Sequence, residues 1–529
     1  MKLDRLNITT FKNLREFEID FDEKSNIPHT VLVGANGAGK SNVLEALVSI
    51  FSHLASDAQA PFAYTVKYIC DTHTVEICAK QPNEYPVFRV DDQPMPRSQF
   101  MEKTKDGHSP FLPRFVFGYY SGASDRFQEY FTEHQRVFYR KLKSPKADPN
   151  RLPFRPLFLA KPSHGQFVLL AFYSHEDKKV RQFLDDHLGI LDLESVLFVI
   201  KKPGWQKRKT DDRFWEATGI PRVFLDNVFR YALGPIRQAR PRAVDFRERP
   251  KTIDCWNLFL DRAAFEKLAK DYNRPQDLFK TLESTEISDL LLEVQVKVKV
   301  RNVDGSISFR ELSEGEQQLL LVLGLLRFTK EDEALFLLDE PDTHLNPAWS
   351  VQYLKFIADI VGKEAGSHIL MATHDPLVFA GLTQNEVRVM YWDEAKQKIV
   401  ALPPEENPRG MGVEAILMSD LFGLRSALDL PTLEQLDKKR HLEGIEHPTQ
   451  EQITQLQDVT EHLQSLPFSI NASDPLYPIF VKEMMGAQER EHLLVPVLTP
   501  DQRARQREIA ADIVKRLRAR RDSEDAKQE

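Results

Sequence analysis

The stretch GANGAGKS, residues 34–41, has the spacing G-x-x-x-x-G-K-[ST]. Gly34, Gly37 and Gly39 would let backbone amides wrap phosphate oxygens, Lys40 would reach the terminal phosphates, and the Ser41 hydroxyl suits Mg²⁺. Asn36, Ala38 and Asn42 complete this candidate ATP-binding set. Much later, LFLLDE at 335–340 ends an apolar run with two acids. Asp339 is placed to hold the magnesium, directly or through water. Glu340 would be the base that orients or deprotonates an attacking water. His374, in LMATHDP, follows another apolar run and is expected to meet the γ-phosphate or the Glu340 carboxylate.

A second anion-holding pattern lies in RELSEGEQQLLLVLGLL, residues 310–326. Ser313 reads as the N-cap of a long apolar helix, whose first-turn amides and dipole favour negative charge. Ser313, Glu314, Gly315 and Glu316 therefore form a candidate site of their own, 26 residues before Asp339.

These residues need a frame. HTVLVG reads as a buried strand running into the glycine loop, and KSNVLEALVSIFSHL as the helix that follows. ALFLLDE and HILMATH read as further buried strands, with a helix from Pro347 between them. Residues 2–21 suggest two amphipathic strands, and 62–90 a set of antiparallel strands flanking the nucleotide pocket. From 123 to 285 aromatics, charges and prolines mix, which suggests a mainly helical insertion. LLLEVQVKVKV and SISFREL then pair about a VDG turn. The expected organisation is an α/β P-loop ATPase head, with a mixed sheet and a flanking antiparallel β-subdomain. Its parts are 1–122, a helical insertion at 123–285, the returning head at 286–400, and a helical C-terminal region at 401–529, for which a family resemblance implies partner binding.

Composition narrows the function classes. A net charge of −8 argues against wholesale coating of nucleic acid, so any basic surface must be local. Three cysteines, Cys70, Cys78 and Cys255, make no disulfide framework and fit a reducing cytoplasm. Cys70 and Cys78 with His73 between them could hold zinc, but alternating hairpin positions explain them better. No apolar run reaches the roughly 18–20 residues that span a bilayer, so a soluble, cytoplasmic protein is expected.

Taken in order, GANGAGKS, LSEGEQQ, LLDEPDTHLNP and ATHD resemble the Walker A, signature, Walker B with D-loop, and H-loop motifs of ABC-type ATPases. The resemblance covers about 1–122 and 286–395. It implies a head-to-tail homodimer, in which the signature of one chain caps ATP held by the other. The start, LDRLNITTFKNLREFEIDF, is similar to the RecF and SMC-like branch, and implies nucleotide contacts from Lys12 and Asn13. The family's Q-loop is not placed: Gln166 in HGQFVLLAFY is one candidate, and a strand-edge glutamine is the other reading. RGMGVEAILMSDLFGLRSALD at 409–429 and DPLYPIFVKEM at 474–484 are similar to PtuA ATPases of Septu and retron-associated antiphage systems. That family resemblance implies an HNH nuclease partner, PtuB, with retron DNA as a further ligand.

Residues 201–251 hold fourteen Lys/Arg against six Asp/Glu. Lys201, Lys202, Lys207, Arg208, Lys209, Arg237, Arg240 and Arg242 could contact phosphates, with Trp205 and Trp215 stacking on bases. The other reading is a solvated face paired with acids. The basic C-terminal stretch around Arg516, Arg518, Arg520 and Arg521 reads as an exposed tail. Residues 395–529 contain no D-x-D, so no nuclease activity is expected in this chain alone. A RecF/SMC-like DNA-repair ATPase is the alternative reading.

Overall fold

Three short strands, His29–Val33, Ala334–Asp339 and Ser367–Ala372, are buried along almost their whole length. Strands covered on both faces read as unbroken apolar runs, and parallel sheets are built from them. Here they lie side by side and parallel in a seven-stranded sheet. Its order is Lys398–Leu402, Val387–Asp393, His29–Val33, Ser367–Ala372, Ala334–Asp339, Phe115–Tyr120, Leu157–Leu159. All neighbours are parallel except the pair Val387–Asp393 and Lys398–Leu402, which makes the sheet mixed.

The computed structural model describes residues 1–21, 28–104, 108–122, 126–142, 148–149, 155–207, 212–242, 251–301, 303–329, 333–361, 366–443, 445, 447–466, 483–484, 487, 491 and 500–525. The strand period of two sorts the sheet's side chains between two cores. Leu32, Leu335 and Leu337 join one core with Val43, Leu44 and Leu47 of the helix Lys40–Ala55. Val31, Val33, Phe336 and Leu338 join the other with Leu319, Leu323 and Leu326 of the helix Glu314–Thr329. The glycine-loop helix and the signature helix thus cover opposite faces of one sheet.

A six-stranded antiparallel sheet flanks the first core, in the order Leu14–Asp20, Lys2–Phe11, Tyr64–Cys70, His73–Ala79, Val87–Val90, Gln93–Met95. Cys70 and His73 face each other across its tight hairpin, while Cys78 pairs with Thr65. Among the described residues no cluster of three metal-ligating side chains occurs.

The segment 123–285 is richer in strands than its sequence suggests. Leu157–Leu159 joins the central sheet, and Ile190–Lys201, Ile236–Arg242 and Lys251–Asp261 join a five-stranded antiparallel sheet with Leu291–Val300 and Ser306–Ser308. Its helices include Lys178–Leu188, capped by Asp177 at one end and closed by Gly189 at φ 63 at the other. HGQFVLLAFY is a helix, Ser163–Ser174, buried on nearly every side. A short run buried on every side has no apolar–polar period to betray a helix. This helix crosses the signature helix so closely that a Cβ on Gly324 would sit 2.1 Å from Val168.

Contacts divide the described chain into two units, 1–423 and 424–529. Residues up to 423 belong to the first, where Phe422 meets Phe379 edge-on. The second unit is helical, with Leu430–Glu443, Gln450–Ser465 and Pro500–Asp525. Most of 474–484 lies outside the described residues. Among the described residues no helix is long and apolar enough to cross a membrane.

Candidate active site

The parallel strands end together at one edge of the central sheet. His29–Val33 delivers the glycine loop, Ala334–Asp339 delivers the two acids, and Ser367–Ala372 lies between them and leads to His374. Backbone bonds lock this edge: Glu340 N–H donates to Ala372 O at 2.8 Å, and Thr373 N–H to Leu32 O at 3.2 Å.

The loop conformation demands its glycines. Gly37 and Gly39 have φ 84 and 92, and a Cβ on Gly34 would lie 2.1 Å from Met390 O. Lys40 Nζ donates to Gly34 O at 2.7 Å, folding the side chain back along the loop. Burial lowers its ammonium from the ordinary value, opposed by the charges of Glu340 and Asp339.

Ser41 Oγ donates to Asp339 Oδ1 at 3.1 Å, while Asp339 Oδ2 is buried without a hydrogen-bond partner. Burial pushes the Asp339 carboxyl up to about 6, against the Ser41 hydrogen bond, with Glu340 adding to the rise. A buried, under-satisfied carboxylate beside a serine hydroxyl is a site that a divalent cation completes. The residues present therefore fit Mg²⁺, with the glycine loop as phosphate cradle.

Glu340 sits at φ 54, a left-handed conformation rare for non-glycine residues. That turn aims its side chain to within 2.5 Å of His374, Oε2 to Nδ1. Its carbonyl accepts from Thr343 Oγ1 at 2.9 Å and Gln318 Nε2 at 3.4 Å, tying it to the signature helix. Below it, Asp342 accepts from Thr373 Oγ1 at 2.5 Å, and burial pushes its carboxyl up to about 7.

Ser313 caps the signature helix reciprocally with Glu316. Its N–H and hydroxyl donate to Glu316 Oε2 at 2.7 and 2.8 Å, and Glu316 N–H donates to Ser313 Oγ at 3.3 Å. Ser313 and Glu314 are exposed, whereas Gly315 is buried against the loop after the acids. A Cβ there would lie 2.4 Å from His344 O, and His344 Nδ1 stands 3.1 Å from Glu314 Oε2.

Lys12 and Asn13 reach the glycine-loop region from the turn of the N-terminal hairpin. Asn13 donates to Gly37 O at 2.8 Å and accepts from Asn42 Nδ2 at 2.5 Å. Lys12 Nζ is 2.5 Å from Glu45, which also receives Arg126 at 2.6 Å and Tyr130 at 3.0 Å. Burial pushes the Glu45 carboxyl up, but these hydrogen bonds outweigh it and hold the group below its ordinary value. Arg126 also bonds Asn42. No motif spacing points to Arg126 or Glu45; the Glu45 position, four residues after Ser41 on the same helix, is the one available hint.

Other candidates are placed elsewhere. Gln166 is buried inside its helix with Oε1 unpartnered. Trp215 is fully buried, so it offers no stacking surface; Trp205 is partly exposed and donates to Ser288 O. Within the basic window, Lys201 pairs with Asp289, Arg237 with Asp254, and Arg240 with Glu293 and Asn257. Lys202 donates its backbone N–H to Asp254 O, and Lys207 is exposed. Arg208 and Lys209 lie outside the described residues, as does the side chain of Arg242. Arg516 pairs with Asp512 and Glu483, while the side chains of Arg518, Arg520 and Arg521 lie outside the described residues.

Two family models match the chain. One, described as an AAA ATPase domain, covers residues 1–106 and holds the glycine loop. The other, an AAA domain whose description names the AbiEii toxin of a type IV TA system, covers 169–380 and holds the signature, the paired acids and His374. Two curated relatives are named Septu protein PtuA. The protein of Bacillus mycoides is 25% identical over 206 residues, and that of Bacillus thuringiensis 25% identical over 220. The chain is PtuA-like. The matches cover 36% and 37% of it, and span about a quarter of one relative's length and about half of the other's. This PtuA-like chain carries its candidate nucleotide-site residues on an α/β P-loop framework.

Proposed function

We propose that the chain is an Mg²⁺-dependent ATPase of ABC type that dimerises head to tail around ATP and governs a partner HNH nuclease in antiphage defence. One observation carries the enzymatic part: the glycine loop, Asp339 and the Glu340–His374 pair meet at one sheet edge, with Ser41 and Asp339 already bonded. When bound, Mg–ATP supplies the phosphoanhydride to be cleaved and the cation that neutralises its charge. Lys40 and the loop amides hold the terminal phosphates, and Ser41 and Asp339 hold the cation. Glu340 accepts the proton of the attacking water, and His374 fixes the carboxylate in position. Positioned bases of this kind contribute about 10²–10⁴ in rate.

Exposed Ser313 and the N-terminus of its helix serve the ATP of the second subunit. Glu316 meanwhile acts as the resident anion on the Ser313 N–H and hydroxyl. The defence role rests on likeness to the two proteins named Septu protein PtuA. The PtuB-type nuclease partner, the retron DNA and the cytoplasmic location belong to the same reading. Nucleic-acid contact is assigned to Lys207, Arg208 and Lys209, since Lys201, Arg237 and Arg240 already neutralise acids of their own sheet and loops.

Native co-purification tests the partner assignment. The tagged chain, recovered from its own host, should bring down a small HNH protein. Recovery of a homodimer alone, across ATP and ADP conditions, would favour a repair-type ATPase instead.

A further inference from the structure

We propose that Trp392 is the wall on which the base of the bound nucleotide stacks; this rests on the ATP-binding reading above. The sheet itself gives the nucleotide a direction. Asp339, Glu340 and His374, which face the terminal phosphate and its cation, all lie on one side of the glycine-loop strand His29–Val33. The ribose and base must therefore leave toward the other side, where Val387–Asp393 and then Lys398–Leu402 lie.

Val387–Asp393 runs parallel to the loop strand, with Val389 opposite Val33, and it continues past the end of that strand. Its next residue, Met390, backs directly onto Gly34. Trp392 follows two residues on, on the same side of the strand as Met390, at about 3.3 Å per residue. Across the hairpin it pairs with Ile399. Ile399 Cδ1 would stand 3.3 Å from a Cβ on Gly39, the last glycine of the loop, and Asn13 and Leu14 crowd the same spot. Directly paired residues of an antiparallel ladder have Cβ atoms about 5 Å apart on one face. The indole is thus carried to the flank of the phosphate loop, on the face that holds the helix Lys40–Ala55.

Met390 and Ile399 on this face are buried, yet Trp392 is 48% exposed. Tyr391, pointing to the opposite face, is 44% exposed and has no such relation to the loop. A large aromatic left half in solvent beside a phosphate cradle, at the end where a base must emerge, suits stacking on a flat heterocycle. Stacking tolerates any base, so this wall would add affinity for a nucleoside triphosphate over inorganic triphosphate rather than select adenine.

Binding of Mg–ATP and of Mg–tripolyphosphate by wild-type protein, Trp392→Ala and Trp392→Phe tests this. Trp392→Ala should weaken Mg–ATP about tenfold and leave Mg–tripolyphosphate unchanged, and Trp392→Phe should recover most of the loss. The chain has five tryptophans, so Mg–ATP should quench indole fluorescence in wild type and not in Trp392→Phe. That readout decides the matter even where the alanine variant folds poorly. Equal weakening of both ligands or unchanged Mg–ATP affinity in a folded Trp392→Ala, or quenching that persists in Trp392→Phe, would overturn the stacking role. Wild-type protein that binds neither ligand would overturn the ATP-binding reading and this proposal with it.

Discussion

The imidazole of His374 lies 2.5 Å from the carboxylate of Glu340, although 34 residues and a helix separate them in the chain. Glu340 reaches it because its backbone turns left-handed as the strand ends, while His374 leaves the neighbouring strand. Replacing the carboxylate by its amide keeps this shape and removes the base. Glu340→Gln should lose about 10²–10⁴ in phosphate release while retaining Mg–ATP binding. Steady-state phosphate release beside equilibrium binding measures both.

Asp339 should make the apo protein less stable than it could be. Its carboxyl rises to about 6 in the fold from an ordinary 3.8. Between those pH values the folded state keeps a proton that the unfolded chain has lost, so the stability this group contributes at low pH disappears as pH rises through 6. Asp339→Asn should therefore stabilise nucleotide-free protein above pH 6 by up to about 3 kcal/mol, read as a raised melting temperature, with the gain vanishing toward pH 4. The same variant should lose the magnesium dependence of ATP binding. Melting curves across pH 4–8 check the first effect, and titrations with and without Mg²⁺ the second.

Gly315 is fixed by the chain that crosses it. An alanine would press on the His344 carbonyl at 2.4 Å, so either the helix start or the loop after the paired acids must shift. Overpacking of this kind costs about 1–3 kcal/mol. Gly315→Ala should lower the melting temperature modestly and hydrolysis severely, with Mg–ATP binding by the glycine loop retained.

Arg155 and Glu283 form an ion pair buried under the edge of the central sheet, each 2% exposed. Arg155→Met alone leaves a buried carboxylate uncompensated and should cost about 3–5 kcal/mol. The double variant Arg155→Met, Glu283→Leu should recover most of that stability. Denaturant titration of the three proteins checks the coupling.

The sequence pattern makes the residues of the candidate site more legible than their supports. GANGAGKS, LLDE and ATHD are short, contiguous and each joined to an apolar run, so local spacing already points to the strands that bring them to one sheet edge. The Ser313–Glu316 cap is equally local. Arg126, Glu45 and Asn42 are not: their network exists because a turn after Phe115–Tyr120 folds onto the glycine-loop helix. The sequence leaves Gln166 between a Q-loop and a strand edge and misses its helix, because ten consecutive buried residues erase the helical period. Trp215 looks like a stacking residue beside basic neighbours, yet the fold buries it in the core. Burial of this kind depends on partners distant in sequence, such as Asp254, whose carboxylate lies 3.4 Å from its indole nitrogen.

In the proposed dimer each ATP is completed by Ser313 of a second chain. Complementation between two dead variants tests it most directly. Lys40→Ala disables the phosphate cradle by removing its lysine, and Ser313→Arg blocks the signature turn; each alone should hydrolyse no ATP. A head-to-tail dimer of one with the other keeps one intact cradle facing one intact signature, so mixing the two should restore phosphate release. A mixture that exchanges subunits yet stays as inactive as its components would contradict the account.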